Sequence, residues 1–234
     1  EIPNLDKVVS KLINRYPQVK SIILNINNKK TNVILGDKHK ILYGEEFLID
    51  QIHDLKFKIS FYSFFQVNLK QTEKLYQKVL EFLKPKEGDV IIDGYCGVGT
   101  ITLMVAQHCK HIYGIEVVSK AIENARENAK LNNINNVTFI VGKVEDEIDN
   151  LINKNISGII LDPPRKGVDK NVLEKIVDTN IPKVVYVSCN VASLARDLNI
   201  LSSKYDVKKV VLVDMFCHTA DVESVVLLER KKIN

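Results

Sequence analysis

Apolar and polar positions change their spacing twice along the chain, and each change marks a change of structure. Residues 4–15 are expected to form a short helix, after which 19–26 and 31–35 read as strands joined by the polar turn Asn27-Asn28-Lys29-Lys30. Further short strands are expected near 39–43, 46–50 and 55–59. Such a β-rich unit is too short for a large core of its own. Leu75, Val79, Leu80 and Leu83 then recur at helical spacing and the run stops at Pro85, which predicts a linker helix over 69–83.

From Asp89 onward short apolar runs alternate with amphipathic segments, the pattern of a parallel sheet covered by helices. Strands are expected at 90–93, 111–116, 137–141, 157–162, 183–188, 207–214 and 223–229. Residues 216–221 are too few for a helical crossover, so the last two strands are expected to pair antiparallel as a hairpin at the sheet edge. The predicted fold class is α/β: a seven-stranded mixed sheet with a C-terminal antiparallel hairpin, preceded by a small β-rich domain, with the division at 1–68 and 69–234.

Composition narrows the class. With 234 residues, 45% hydrophobic and 26% charged, the chain can bury a full core and is neither disordered nor collagen-like. The longest uncharged stretch, 94–109, includes glycines, threonines, Gln107 and His108 and is too short and polar to span a bilayer. Charged residues from Glu1 to Lys20 interrupt any apolar secretion signal, so a cytoplasmic location is expected. Cys96, Cys109, Cys189 and Cys217 lack the spacing of a metal site; no metal is expected, and thiols are expected to act singly. The net charge of +4 arises wholly in residues 1–70, with 11 Lys+Arg against 7 Asp+Glu, which suits either a polyanionic partner or an ordinary solvated surface.

Asp93-Gly94-Tyr95-Cys96-Gly97-Val98-Gly99-Thr100 falls where the first strand of the sheet ends and a helix begins, the position where open α/β sheets bind ligands. Gly97 and Gly99 let the backbone approach a cofactor, or merely make a tight turn. A nucleotide pyrophosphate would favour a third glycine where Thr102 stands and would meet Asp93 unfavourably, so a cationic cofactor fits better. Glu116 ends the second strand, 23 residues after Asp93, where a carboxylate can accept both hydroxyls of a ribose. The combination favours S-adenosylmethionine and a Rossmann-like methyltransferase fold.

Asp162-Pro163-Pro164-Arg165-Lys166-Gly167 leaves the next apolar strand on the same sheet edge, and Ser188-Cys189-Asn190 ends the strand after it. Cys96 and Cys109 are read as small buried residues. Cys189, between two polar residues at a strand end, can be a nucleophile if positive charge or helix N-terminal amides lower its pKa.

These motifs, with D-M-F-C-H-T-A-D-V-E at 214–223, Ser63-Phe64-Phe65-Gln66-Val67-Asn68 and Gln71-Thr72-Glu73-Lys74-Leu75-Tyr76, resemble those of the RNA uracil-5-methyltransferases, in order from about residue 60 to the C-terminus. The resemblance implies a thiolate nucleophile at Cys189 and a general base at Glu223. It implies S-adenosylmethionine contacts from Gln66, Tyr95 and Glu116, beside Gly97 and Gly99, with Asp162 in the cofactor and base pocket. It also implies an RNA substrate, 23S rRNA favoured over tRNA, whose target uridine is unpaired or flipped from its stack. A monomer is expected. Phe61, Tyr62, Phe64 and Phe65 either stack on a base or fill the core; Lys29, Lys30, Lys38 and Lys40 either contact phosphates or line a solvated hairpin.

The chain departs from the family pattern at four places. Val191 replaces the proline after S-C-N, and Ser193 replaces a threonine; Cys217 and Asp221 stand where D-x-F-P-x-T-x-H-V-E has proline and histidine. Asp221 adds a negative charge near Glu223. The N-terminal barrel of many members and the four-cysteine cluster of some are not read here, and the start at Glu1 suggests a piece of a longer protein. Two other readings stay open: a noncatalytic RNA-binding or ribosome-assembly module, and an amino-group methyltransferase that does not use Cys189.

Overall fold

The computed structural model describes residues 2–30, 34–36 and 38–232. Helix α1 (Leu5–Arg15) precedes an antiparallel pair, β1 (Ser21–Ile26) and β2 (Lys38–Gly44), and a second antiparallel pair, β3 (Phe47–Ile52) and β4 (Leu55–Ser60). The expected strand at 31–35 is not the partner of β1. Thr31 to Val33 lie outside the described residues, Ile34 and Leu35 belong to no strand, and β1 pairs instead with β2, Ser21 opposite Gly44 and Ile26 opposite Lys38. Asparagines account for the difference: Asn25 exchanges hydrogen bonds with both backbone groups of Gly36, at 3.0 and 2.8 Å, and Asn27 donates to the Ile34 carbonyl at 3.0 Å. These local bonds hold 34–36 in a loop that two apolar residues do not outweigh.

Helix α2 (Leu69–Leu83) follows, as the spacing predicts, capped by Asn68 and ended by Lys84 in the left-handed region. The second part then alternates strand and helix up to α7 and ends on two successive strands: β5 (Val90–Gly94), α3 (Thr100–Ala106), β6 (His111–Glu116), α4 (Ser119–Leu131), β7 (Val137–Val141), α5 (Val144–Leu151), β8 (Ile156–Leu161), α6 (Lys170–Asp178), β9 (Lys183–Ser188), α7 (Val191–Leu201), β10 (Tyr205–Val213) and β11 (Glu223–Arg230). The strands form one sheet in the order β10-β11-β9-β8-β5-β6-β7, parallel from β9 to β7, with β11 antiparallel to both β9 and β10. The predicted terminal hairpin is present at the edge.

Central strands are buried on both faces, which is why they read as unbroken apolar runs. One face packs Leu75, Val79, Leu103 and Ile122 and the other Ile148, Val172, Ile176 and Leu194. The chain runs outward from β5 to β7 and returns to β8 on the other side of β5, so the order reverses between β5 and β8 and opens a crevice at their carboxyl ends. No helix among the described residues is long and apolar enough to cross a membrane.

β4 is fastened to the sheet domain by an asparagine ladder on α4. Asn124, Asn128 and Asn132 recur every fourth residue and so share one helix face. Asn132 and Asn128 accept from the amides of Lys56 and Lys58 at 2.9 and 2.7 Å, and Asn124 donates to Ser63 Oγ at 2.7 Å. The four-residue period of the helix thus meets the two-residue period of the strand, and β4 leads directly into the segment that carries Gln66.

Candidate active site

At the end of β5 the buried Asp93 receives a 2.6 Å hydrogen bond on Oδ2 from Thr102, whereas Oδ1 is buried with no partner. Burial first, and the nearby Glu116 second, push its pKa up to about 7, while the Thr102 bond holds it down. Thr102, which stands where a nucleotide loop would carry glycine, therefore orients the acid. Glu116 is turned toward the same loop: Oε2 accepts from the Gly97 amide at 3.3 Å and Oε1 from the Val118 amide at 2.9 Å. The unpartnered Asp93 oxygen and the Glu116 carboxylate thus gather two acidic groups at one loop.

The two glycines have different jobs. Both have positive φ, 55° at Gly97 and 84° at Gly99. A Cβ at Gly97 would meet nothing within 4 Å, so this glycine leaves open space over the loop. A Cβ at Gly99 would lie 3.0 Å from Phe139 and 3.2 Å from Ala125, so its lack of a side chain serves helix packing. Gly99→Ala is expected to destabilise the fold by about 1–3 kcal/mol. Gly97→Ala pays only backbone strain, about 1–2 kcal/mol, and is expected to weaken S-adenosylmethionine binding about tenfold. Thermal denaturation and calorimetric titration of both variants check the contrast. Tyr95 also has positive φ, 68°. Its ring packs with the core on the α6 and α7 side, and burial with Glu145 next in weight pushes its hydroxyl up to about 12.

Three further groups leave neighbouring strands at one level. Leu161 lies opposite Gly94 and Tyr186, so Asp162 emerges between the ends of β5 and β9. Ser188 lies opposite Ser224, so Cys189 and Glu223 sit one step beyond that pair, on adjacent antiparallel strands. Glu223 is 6% exposed, far from an ordinary solvated glutamate, and Asp162 and Cys189 are half-buried. Burial dominates each shift. Asp162 is pushed up to about 8, with Glu223 and Asp93 adding to the rise. Glu223 is raised by burial and by Asp221, against the lowering effect of Arg165. Cys189 is raised by burial, Glu223 and Asp162, again opposed by Arg165. The lowered thiol pKa expected of a nucleophile is therefore not found at Cys189. Asn190, not Cys189, receives the α7 N-terminal amides: its Oδ1 accepts from Ala192 and Ser193 at 2.9 and 3.0 Å.

The segment before α2 closes the cleft from the side. Asn68 donates to the Met215 carbonyl at 3.0 Å, which ties the residues around Gln66 to the loop that precedes Glu223. Gln66 itself is half-buried. Of the four aromatic residues, Phe65 packs against Phe57 with centroids 6.3 Å apart, and Phe61 lies 3.9 Å from Tyr62 beside His39. Phe64 remains 77% exposed. Lys29, Lys30, Lys38 and Lys40 are exposed around the β1–β2 hairpin. Cys96 and Cys109 are buried as expected, and Cys217 is exposed.

Two residues that lie within the quoted motifs were given no role there. Tyr76 of α2 is buried, bonds Thr100 Oγ1 at 2.9 Å, and lies within the electrostatic reach of Asp162, Asp93 and Glu223, its own hydroxyl pushed well up by burial. Its place at the end of the Gln71–Tyr76 motif, on the buried face with Val79 and Leu83, was the available signal. Arg165 bonds Asp221 at 3.0 Å across the mouth of the cleft, a pairing between residues 56 apart that no local pattern reveals.

Comparison with known proteins agrees with this geometry. The family model of tRNA (uracil-5-)-methyltransferase matches residues 25–231. An uncharacterized RNA methyltransferase of Bacillus cereus (strain ATCC 10987) is 47% identical over 98% of this chain and 51% of its own length, and one of Clostridium acetobutylicum is 47% identical over 98% and 50%. The chain thus spans about half the length of the relatives it matches. The crystal structure of Pyrococcus abyssi tRNA (uracil-54, C5)-methyltransferase in complex with S-adenosyl-L-homocysteine superposes with a TM-score of 0.78 at 33% identity, over 92% of this chain and 52% of that one. Trm5b of the same organism, with a TM-score of 0.65 at 18% identity, shares the fold. By the extent of the family match and the identity to these relatives, the chain belongs to the tRNA (uracil-5-)-methyltransferase family, whose members depend on S-adenosylmethionine.

Proposed function

We propose that the chain is the catalytic part of an enzyme that methylates carbon 5 of a uridine in structured RNA through a covalent bond from Cys189 to carbon 6. The observation that carries this reading is the placement of a half-buried thiol and a buried carboxylate, Cys189 and Glu223, one step beyond a paired position on adjacent strands. They stand at the same sheet edge as Asp93, Gly97 and Glu116, the residues assigned to the cofactor. Gln66 and the backbone at Tyr95 are assigned to its other contacts, and Asp162 to the space between cofactor and base.

S-adenosylmethionine supplies an electrophilic methyl group on a sulfonium. Carbon 5 of uracil is a poor nucleophile, and Cys189 corrects this: its thiolate bonds carbon 6, and the π electrons of the 5,6 double bond pass into an enolate able to take the methyl. Glu223 then removes the carbon 5 proton, the double bond re-forms, and the Cys189 sulfur leaves as thiolate. Burial, which raises Glu223, brings it nearer the pKa that a base needs at neutral pH. The uridine has to leave its stack to reach this edge; exposed Phe64 offers a stacking face and the hairpin lysines offer phosphate contacts.

The acidic cluster implies a pH-dependent choice of ligand. Asp93 and Asp162 are raised from 3.8 to about 7 and about 8, so their contribution to stability is complete below the unfolded value and is lost as pH climbs through those raised values. A bound sulfonium reverses the loss by pairing with the ionised carboxylates. The affinity ratio of S-adenosylmethionine over S-adenosylhomocysteine, which lacks that charge, is therefore expected to rise between about pH 6 and about pH 9. Calorimetry at both ends of the range tests this, and Asp162→Asn is expected to flatten the rise.

The function itself is tested by incubating the protein with S-adenosylmethionine and transcripts of 23S rRNA or tRNA, then analysing digested nucleosides by mass spectrometry. New 5-methyluridine in one RNA class supports the proposal and names the substrate. A methylated amino group, formed equally by Cys189→Ala, would favour an amino-group methyltransferase that does not use Cys189.

A further inference from the structure

The turn that carries Arg165 is built onto α7, the helix that begins two residues after Cys189. At its centre lies Asp197, wholly buried. Its Oδ2 accepts from the Val168 amide at 2.8 Å and from the Tyr186 hydroxyl at 2.6 Å, and its Oδ1 accepts from Arg196 Nε at 2.9 Å. Arg196 also donates to the Lys166 carbonyl at 2.8 Å, and Ser193 Oγ donates to the Arg165 carbonyl at 3.1 Å. Gly167, at φ 81°, closes the turn through a 2.8 Å bond to the Pro164 carbonyl; a Cβ there would lie 2.5 Å from Asp197 Oδ2. Backbone groups of residues 164–168 are thereby fixed one after another, three of them by side chains of α7: Arg165 by Ser193, Lys166 by Arg196 and Val168 by Asp197, which Tyr186 holds in turn.

What this bracing aims is the Arg165 guanidinium, which meets Asp221 at the rim. Asp221 stands two residues before Glu223, and the register of β11 on β9 puts Glu223 level with Cys189, so the ion pair brings Arg165 to this end of the two strands. The charges that act on the Cys189 thiol are Glu223, Asp162 and, as the cation of the set, Arg165, which acts on Glu223 as well. An arginine held by its backbone and by a rim carboxylate can oppose two carboxylates at a fixed point, which a freely moving surface arginine cannot.

We propose that Asp197 is a positioning residue: by fixing residues 165–168 to α7 it aims Arg165 at the mouth between Cys189 and Glu223, where the guanidinium supports the Cys189 thiolate. The inference rests on Cys189 as the nucleophile, but its test reads the ionisation of the thiol and needs no RNA. Alkylation of Cys189 by iodoacetamide is followed against pH by mass spectrometry of its peptide, so that exposed Cys217 is counted separately. Arg165→Gln is expected to move the profile to higher pH and slow alkylation near neutral pH about three- to tenfold, and Arg165→Lys to recover part of the rate. Asp197→Asn is expected to shift the profile the same way, and the double variant to add nothing beyond Arg165→Gln. Arg196→Gln, at a side chain more than half exposed, gives the same direction with less risk to folding and stands in if Asp197→Asn does not fold. An unchanged profile in Arg165→Gln overturns the proposal, as does an Asp197→Asn or Arg196→Gln protein that melts earlier with the wild-type profile. Absence of methyl transfer by the wild type would leave these profiles untouched, so the two readings fail separately.

Discussion

Cys189→Ala is expected to lower methyl transfer to RNA by at least about a thousandfold, because without the sulfur carbon 5 never acquires the electron density to take a methyl group. The loss is confined to chemistry. Cys189 is half-buried and its thiol bonds no other residue among the described ones, so alanine leaves no orphaned partner, and thermal stability should change little. S-adenosylmethionine binding, assigned to Asp93, Gly97 and Glu116, should also persist. Initial rates with labelled cofactor and a binding isotherm on the same preparation check both halves. A variant that keeps its rate would remove the thiol from the mechanism.

Glu223→Gln is expected to stop the reaction later. The amide cannot take the carbon 5 proton, so addition and methyl transfer proceed and elimination stalls. Turnover should fall about 10²- to 10⁴-fold, and protein bonded to methylated RNA should accumulate with ordinary uridine. A denaturing gel followed by mass spectrometry of the trapped complex measures this. The substitution is nearly isosteric, and removing a carboxylate that burial already disfavours should not cost stability. If Glu223→Gln gave neither turnover nor adduct, the residue would act before methyl transfer, in forming the thiolate. Arg165 and Asp221 oppose one another at Glu223, the first lowering and the second raising it. Asp221, read from sequence as a departure that adds charge near the base, is thus also the partner that holds Arg165.

Much of the fold is written in local pattern. The strands of the sheet, the helix over 69–83 and the terminal hairpin follow from apolar runs, helical periodicity and a connection too short for a crossover. Each of these signals lies within a few residues of the element it specifies. The placement of the candidate residues is legible to the same extent: Asp93, Glu116 and Asp162 end predicted strands and Cys189 follows one, and parallel strands deliver their carboxyl ends to one edge. The partner of β1 was not legible, because the bonds of Asn25 and Asn27 to residues 34–36 compete with an apolar pair of ordinary strand character. Nor was the division of labour between Gly97 and Gly99, which depends on Phe139, forty residues further on. The burial of Glu223 could not be read from a charged letter at the start of a strand; it follows from β11 lying between β9 and β10. The Asp197 network joins residues about thirty apart in sequence through a turn whose glycine looks like any other.

The central claim is the covalent bond from Cys189, and RNA carrying 5-fluorouridine tests it most directly. Fluorine at carbon 5 would have to leave as F⁺ where uridine gives up H⁺, so an enzyme of this mechanism stops after methyl transfer with its sulfur still on carbon 6. Wild-type protein, S-adenosylmethionine and fluorinated 23S rRNA or tRNA transcripts are predicted to give a complex that survives denaturation, with the RNA adduct on the peptide that contains Cys189. An adduct on another cysteine, or methylated RNA released with no adduct at any stage, would contradict the account.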